Sequence, residues 1–193
     1  MHPVVTPLWH GPAVELFVLG PDSVGDAYVE WLNDPAIARY LESRFARHDA
    51  DSTRAYAASV LASADSVLLG IRSVALGRRH VGNIKLGPIN RQHGTADIGI
   101  MIGDRAAWGR GIATAAIAML AEIAREELGL RKLTAGCYAS NGGSERAFLK
   151  AGFAREGVRP GQFLLDGKPE DLVLMGRLLA QPAGETMRKD GDA

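Results

Sequence analysis

Gly109 and Gly111 bracket a single Arg110 in the run Trp108-Gly109-Arg110-Gly111-Ile112-Ala113-Thr114, which follows the apolar stretch Asp97-Ile98-Gly99-Ile100-Met101-Ile102-Gly103 by five residues. The first stretch has strand character, and the second opens an alanine-rich segment with helical spacing. Glycine has no Cβ, so the backbone there can approach a ligand closely. The first N–H groups of a helix lack internal acceptors and carry partial positive charge. Strand, glycine turn and helix together offer a cradle for an anion, a pyrophosphate in particular, although a plain turn would also account for Gly-Arg-Gly. Two known phosphate signatures do not fit. The dinucleotide fingerprint wants Gly or Ala where Thr114 stands, and the P-loop wants Gly-Lys-Ser/Thr, which the chain lacks.

A second polar block lies about thirty residues on: Asn141-Gly142-Gly143-Ser144, then Phe148-Leu149-Lys150-Ala151-Gly152-Phe153. Asn141 and Ser144 are both residue types that cap helices. Just before them stand Tyr138, whose phenol could donate a proton, and Cys137, the only cysteine. With no His-Asp or His-Asn set beside it, Cys137 reads as a small core hydrophobe rather than a nucleophile, and one cysteine excludes an internal disulfide. The five histidines, at 2, 10, 48, 80 and 93, show no metal-ligand spacing, and no metal is expected. Twenty-two basic and twenty-two acidic residues give a formal net charge of zero, which argues against a nucleic-acid partner. No apolar run approaches the roughly 20 residues that span a bilayer. The opening residues lack the charged-then-apolar pattern of a secretory leader, so a cytoplasmic protein with no membrane partner is expected.

The elements that must position these residues follow from periodicity. Val14 to Leu19 reads as a strand, then Asp22 or Ser23 as the cap of a helix with Ala27, Tyr28, Trp31 and Leu32 on one stripe. Asn33-Asp34-Pro35 breaks it, a second short helix carries Ile37, Tyr40 and Leu41, and Arg44 to Asp51 reads as a loop. A third helix starts at Asp51 or Ser52 with Ala55, Tyr56, Ser59, Val60 and Ala62. Val67–Ile71 and His80–Leu86 form a hairpin, Pro88 to Gly94 a turn, and Ala96 to Ile102 a third strand. The helix from about Gly109 to Leu128 buries Ile112, Ala113, Ala116, Ile117, Leu120 and Ile123, with Gly129 at its end. Leu133–Tyr138 is a strand, Asn141 or Ser144 opens a helix closed by Gly152, and Phe153–Val158 and Asp171–Leu178 are the last strands. The class is α+β, or mixed α/β, with one central sheet. Residues 1–180 are expected to be a single domain and 181–193 a polar, flexible tail.

From about Val14 to Leu178 the chain resembles the GCN5-related N-acetyltransferase (GNAT) family, and within it the group with the ribosomal-protein N-terminal acetyltransferases (RimJ/RimL type). The family's Arg/Gln-x-x-Gly-x-Gly/Ala motif is matched by Trp108-Gly109-Arg110-Gly111-Ile112-Ala113, with Trp108 where Arg or Gln is commoner. Trp-Gly-Lys/Arg-Gly-x-Ala is a familiar form in the subgroup. Asn141-Gly142-Gly143-Ser144 and Lys150-Ala151-Gly152-Phe153 resemble its Asn-x-x-Ser and Lys-x-Gly-Phe segments. The order and spacing of the two blocks make the match specific.

The resemblance implies a mostly antiparallel sheet that splays apart, flanked by helices, with acetyl-CoA as co-substrate in the gap. Ile100, Met101 and Ile102 would pair with its pantetheine arm. Trp108, Gly109, Arg110, Gly111, Ile112, Ala113 and Thr114 would hold the pyrophosphate with no metal, Asn141 would bond the arm, and Ser144 would also contact the cofactor. The reaction would be direct attack of a primary amine on the thioester. Asp97 is the candidate base, acting through water, or else an exposed strand carboxylate. Ser144 is the candidate acid to the sulfur, or else a helix cap, and Tyr138 is a second candidate acid. The acceptor is expected to be a small amine such as an amino sugar, nucleotide-linked or not, or a protein N-terminus. Trp31 to Tyr56 would wall it, and Arg39, Tyr40, Arg44, Arg47 and His48 would suit an anionic acceptor or plain solvent. A homodimer through the last strands is compatible with this fold. The contrasting expectation is an idle module that binds acyl-CoA, or a protein partner, without turnover.

Overall fold

The apolar runs at Val67, His80 and Ala96 do pair as neighbours, and they form the middle of a sheet that organises the molecule. The computed structural model describes residues 8–179. Its eight strands are β1 (Leu8–His10), β2 (Val14–Val18), β3 (Val67–Ser73), β4 (Arg79–Asn90), β5 (Thr95–Ile102), β6 (Lys132–Tyr138), β7 (Ala154–Leu165) and β8 (Lys168–Leu178), in the order β1-β2-β3-β4-β5-β6-β8-β7. Among the described residues every neighbouring pair is antiparallel except β5 and β6, which run parallel. The mixed α+β class with a mostly antiparallel, helix-flanked sheet is what the chain forms.

Among the described residues five α-helices cover the sheet: α1 (Asp26–Asn33), α2 (Pro35–Ala38), α3 (Ala50–Leu61), α4 (Ile112–Glu126) and α5 (Gly142–Lys150). On one face α4 lays Ile117, Leu120 and the fully buried Ala116, Ala121 and Ala124 on Ile84, Leu86, Ile98 and Leu133. The alanines let the helix axis sit close to the strands, and each buried Leu or Ile contributes about 1.5–3 kcal/mol. On the other face Tyr28, Trp31 and Leu32 of α1 and Ala57 and Val60 of α3 pack on Phe17, Leu68 and Met101. A Cβ at Gly103 would run into the Trp31 ring, so glycine after β5 lets α1 close on the strand end.

Several boundaries differ from the sequence expectation. Asp22 and Ser23 lie in a 3-10 turn, α1 is capped by Gly25, and Ala27 faces outward. Asp49, not Asp51 or Ser52, caps α3; its side chain accepts from Ser52 N at 2.7 Å while Ser52 Oγ accepts from Asp49 N at 3.1 Å. That reciprocal box moves the start forward. The buried stripe is then Thr53, Ala57 and Val60, which leaves Ala55, Tyr56, Ser59 and Ala62 outside. β4 continues through Pro88 to Asn90 past a bulge, so the turn shrinks to 91–94. α4 begins at Ile112 rather than Gly109, because Gly111 takes a left-handed conformation that a helix cannot contain. β1 was not foreseen, and β7 and β8 run longer than expected. The expected tail from 181 lies outside the described residues.

Candidate active site

The parallel pair makes the opening. β5 and β6 are bonded only over Thr95–Asp97 against Lys132–Thr134, after which the strands part. β5 stays paired to β4 as far as Ile102, and β6 stays paired to β8 along its whole length. From Ile98 onward the β6-facing edge of β5 therefore has no strand partner among the described residues. A buried polar backbone edge needs hydrogen-bond partners, so this one is suited to a ligand that carries amides of its own. A cavity of about 670 Å³ fills the wedge. Ile100, Met101 and Ile102 line one wall, and Gly136, Cys137 and Tyr138 the other.

The glycine turn closes one end. Gly109 and Gly111 have φ of +70° and +75°, where L side chains are strained, and nothing lies within 4 Å of where a Cβ on either would stand. The Trp108 indole donates to Ile102 O at 2.8 Å and pins the turn to the end of β5. Trp108 N–H reaches Arg105 O at 3.1 Å and Ala115 N–H reaches Gly111 O at 3.0 Å; among the described residues the amides between them lack a partner of good geometry. An open, glycine-lined turn with spare N–H groups at a helix start fits a pyrophosphate. Gly109, Gly111, Ile112, Ala113 and Thr114 line the cavity together with Trp108. Arg110 does not: it is exposed, and its Nε donates to Ala106 O at 2.7 Å.

The second block borders the same cavity. Asn141 caps α5, its Oδ1 accepting from Ser144 N at 3.2 Å. Capping is thus Asn141's role, and the half-buried Ser144 hydroxyl, on the cavity wall, is not spent on it. Asn141 keeps its side-chain N–H₂ for a second contact. Burial, reinforced by the Glu145 carboxylate, pushes the Cys137 thiol up, so it stays protonated and unreactive at neutral pH.

Asp97 is not brought to the cavity wall. It sits at the closed end of the wedge, exposed, and accepts a hydrogen bond from Thr134 Oγ1. It shares a strand face with Gly99 and Met101, both of which line the cavity.

The far end is walled by α2, the turn after it and β7. Tyr138 is buried there, its ring stacked on Phe163 with centroids 4.4 Å apart and tilted against Tyr40 at 5.6 Å. Its hydroxyl donates to Glu42 Oε1 at 2.6 Å. Burial, helped by that carboxylate, holds the phenol above its usual range, so Tyr138 is a neutral donor. Glu42 and Phe163 line the cavity and were missed in the sequence. Glu42 sits in a short polar turn with no motif around it, and only the fold brings it to Tyr138. Of the basic residues expected here, Arg47 is exposed and off the cavity wall, and the other three are already engaged. Arg39 pairs with Asp166 at 2.8 Å, and Arg44 donates to Leu41 O at 2.8 Å and Leu164 O at 2.9 Å. His48 Nε2 bonds Ser43 O at 2.8 Å.

Comparison with known proteins gives a consistent picture. A family profile for an acetyltransferase (GNAT) domain matches residues 19–154. YwnH of Bacillus subtilis (strain 168), assigned as a phosphinothricin acetyltransferase, is 38% identical over 86 residues, which is 45% of this chain and 52% of that protein. The chain spans about half the length of the curated relatives it matches. Among solved structures, the spermidine N-acetyltransferase of Vibrio cholerae in complex with CoA and spermine superposes with a TM-score of 0.74 at 20% identity, covering 87% of this chain and 96% of that one. The microcin C7 self-immunity acetyltransferase MccE, in complex with acetyl-CoA and AMP, gives 0.73 at 19% identity, covering 88% and 94%. At these identities the two structures speak for the fold.

Proposed function

The chain belongs to the acetyltransferase (GNAT) domain family, and from that premise we propose that it is an N-acetyltransferase moving the acetyl group of acetyl-CoA directly onto a primary amine. The observation that carries the reading is the wedge between β5 and β6, with an unpaired strand edge along it and an open glycine turn at its end. Acetyl-CoA, when bound, supplies the activated acyl group. The edge of Ile100–Ile102 takes up amides of the pantetheine arm, the N–H groups from Gly109 to Thr114 receive the pyrophosphate, and Asn141 bonds the arm from the other side.

The amine is protonated at neutral pH and must lose a proton before its nitrogen can attack. We assign that proton to Asp97 through water along the Gly99 face of β5. Ser144, at the first turn of α5, donates to the departing sulfur; the Tyr138 phenol stands on the same wall, and its one O–H is given to Glu42 Oε1. The Trp108–Ala113 and Asn141–Ser144 blocks support membership of the ribosomal-protein N-terminal acetyltransferase group. The acceptor is a small amine or a protein N-terminus, and a homodimer across the last strands belongs to the same reading.

The test is thiol release from acetyl-CoA over a panel of amino sugars, arylalkylamines, polyamines and N-terminal peptides, with the acetylated product identified by mass. Turnover of at least one amine is expected. Tight acetyl-CoA binding with no turnover of any amine would favour an idle acyl-CoA-binding module instead, a reading to which the position of Asp97 off the cavity wall lends some support.

A further inference from the structure

The acceptor end of the cavity has a polarity of its own. Glu42 is the one charged side chain that α2 and the turn after it contribute to the lining; the lining cations Arg146 and Lys150 come from α5, which begins at the Asn141 end. The nearby basic groups are turned to other work. Arg39 is held by Asp166, and the mostly buried Arg44 straps Leu41 O to Leu164 O with its guanidinium 4.1 Å from the Phe45 ring centroid and 5.2 Å from that of Tyr138. A phosphate or nucleotide arriving here would meet a carboxylate, with Arg39 held by Asp166 and Arg44 by two backbone carbonyls. The Glu42 carboxylate receives the Tyr138 proton on Oε1 at 2.6 Å, stands 3.5 Å from Arg44, and remains 63% exposed. The walls around it are the rings of Tyr40, Tyr138 and Phe163.

Resting on the acetyl-transfer reading above, we propose that the acceptor enters as a singly charged ammonium on a flat, apolar body, with Glu42 as the counter-charge that selects it. The half-buried rings of Tyr40 and Phe163 take up the body, backed by the buried Tyr138. A carboxylate with room for a charge-assisted bond attracts the cation, and electron-rich ring faces add to the attraction. Glu42 is a specificity residue that the ammonium meets as it enters, before its nitrogen moves on to lose its proton and attack, and Tyr138 positions it by donating to one oxygen and leaving the other for the amine. The proposal sets aside nucleotide-linked and phosphorylated amino sugars as acceptors, since no uncommitted cation of this end faces the cavity among the described residues.

The probes are 2-phenylethylamine, spermidine and glucosamine 6-phosphate, each used with the wild type, Glu42→Gln and Tyr138→Phe. The wild type should acetylate 2-phenylethylamine with the highest kcat/KM of the three. Glu42→Gln should raise its KM about ten- to a hundredfold, the scale of one charged hydrogen bond, with kcat and acetyl-CoA affinity little changed. Tyr138→Phe should raise KM by a smaller factor. Titration of 2-phenylethylamine into the protein alone gives a readout independent of transfer: binding weakened in Glu42→Gln supports the proposal even if transfer itself is absent. Turnover that prefers glucosamine 6-phosphate or spermidine, or a KM unmoved by Glu42→Gln in a variant that melts like the wild type, overturns it while leaving acetyl transfer standing.

Discussion

Replacing Gly111 separates the two properties that the glycine turn is held to combine. The residue has φ +75° and ψ 6°, and no atom lies within 4 Å of the position a Cβ would take. In Gly111→Ala the only cost in the free protein is therefore backbone strain, about 1–2 kcal/mol for an L residue in the left-handed region. For a chain of this length each kcal/mol lowers Tm by about 2–4 °C. Gly111→Glu carries the same strain and adds a carboxylate to a turn proposed to hold two phosphates. At about 4 Å one such repulsion costs about 1 kcal/mol under full solvent screening and about 4 at the effective dielectric of a protein surface. The expected loss of acetyl-CoA affinity beyond Gly111→Ala is therefore about five- to a thousandfold. Calorimetric titration of both variants at low and high salt reads it, and the gap should narrow as salt rises. If Gly111→Glu binds acetyl-CoA as tightly as Gly111→Ala, the anion cradle is refuted; if neither variant loses stability, the strain argument fails.

Three further outcomes follow from the same geometry. Ser144→Ala should lower kcat about 100-fold or more while leaving the acetyl-CoA dissociation constant unchanged, because Asn141 rather than Ser144 caps α5; steady-state rates and calorimetry on one preparation separate the two. Asp97→Asn should lower kcat about 100-fold or more, whereas Thr134→Val, which deletes only its hydrogen-bond partner, should stay near the wild type; equal rates in Asp97→Asn and the wild type would make Asp97 structural. His80, packed edge-on between the Phe17 and Trp31 rings, is held below its usual 6.5 chiefly by burial, against hydrogen bonds to Asn83 and Gly82. Below about pH 6.5 the unfolded chain takes up a proton that the folded one refuses, so stability should fall as pH drops, by at most about 1.4 kcal/mol per unit. Urea midpoints at pH 7, 6 and 5.5 should show a slope that His80→Gln removes.

The parts of the site that lie close in sequence were legible there. β5, the glycine turn and α4 form one continuous run, and Ile100–Ile102, Trp108, Gly109 and Gly111–Thr114 line one cavity because the chain delivers them consecutively. Asn141 and Ser144 were ambiguous since both are capping residues, and one hydrogen bond, Ser144 N to Asn141 Oδ1, resolves which of them caps. Glu42 and Phe163 were illegible for a different reason. They reach Tyr138 across the sheet from α2's following turn and from β7, and nothing local marks either. Helix starts went astray where several Asp and Ser residues compete for one cap, as at Asp49, Asp51 and Ser52, and the reciprocal side-chain bonds decide it.

Hydrogen exchange of the wild type with and without acetyl-CoA tests the central claim most directly. Among the described residues, the amides on the open edge of β5 and in the turn from Gly109 to Thr114 have no strand or helix partner and should exchange fast in the free protein. Acetyl-CoA should slow those in Ile98–Ile102 and Gly109–Thr114 while leaving β1 to β3 unchanged. Saturating acetyl-CoA that protects neither segment, or protects only a different face of the sheet, would contradict the wedge as the acyl-donor site.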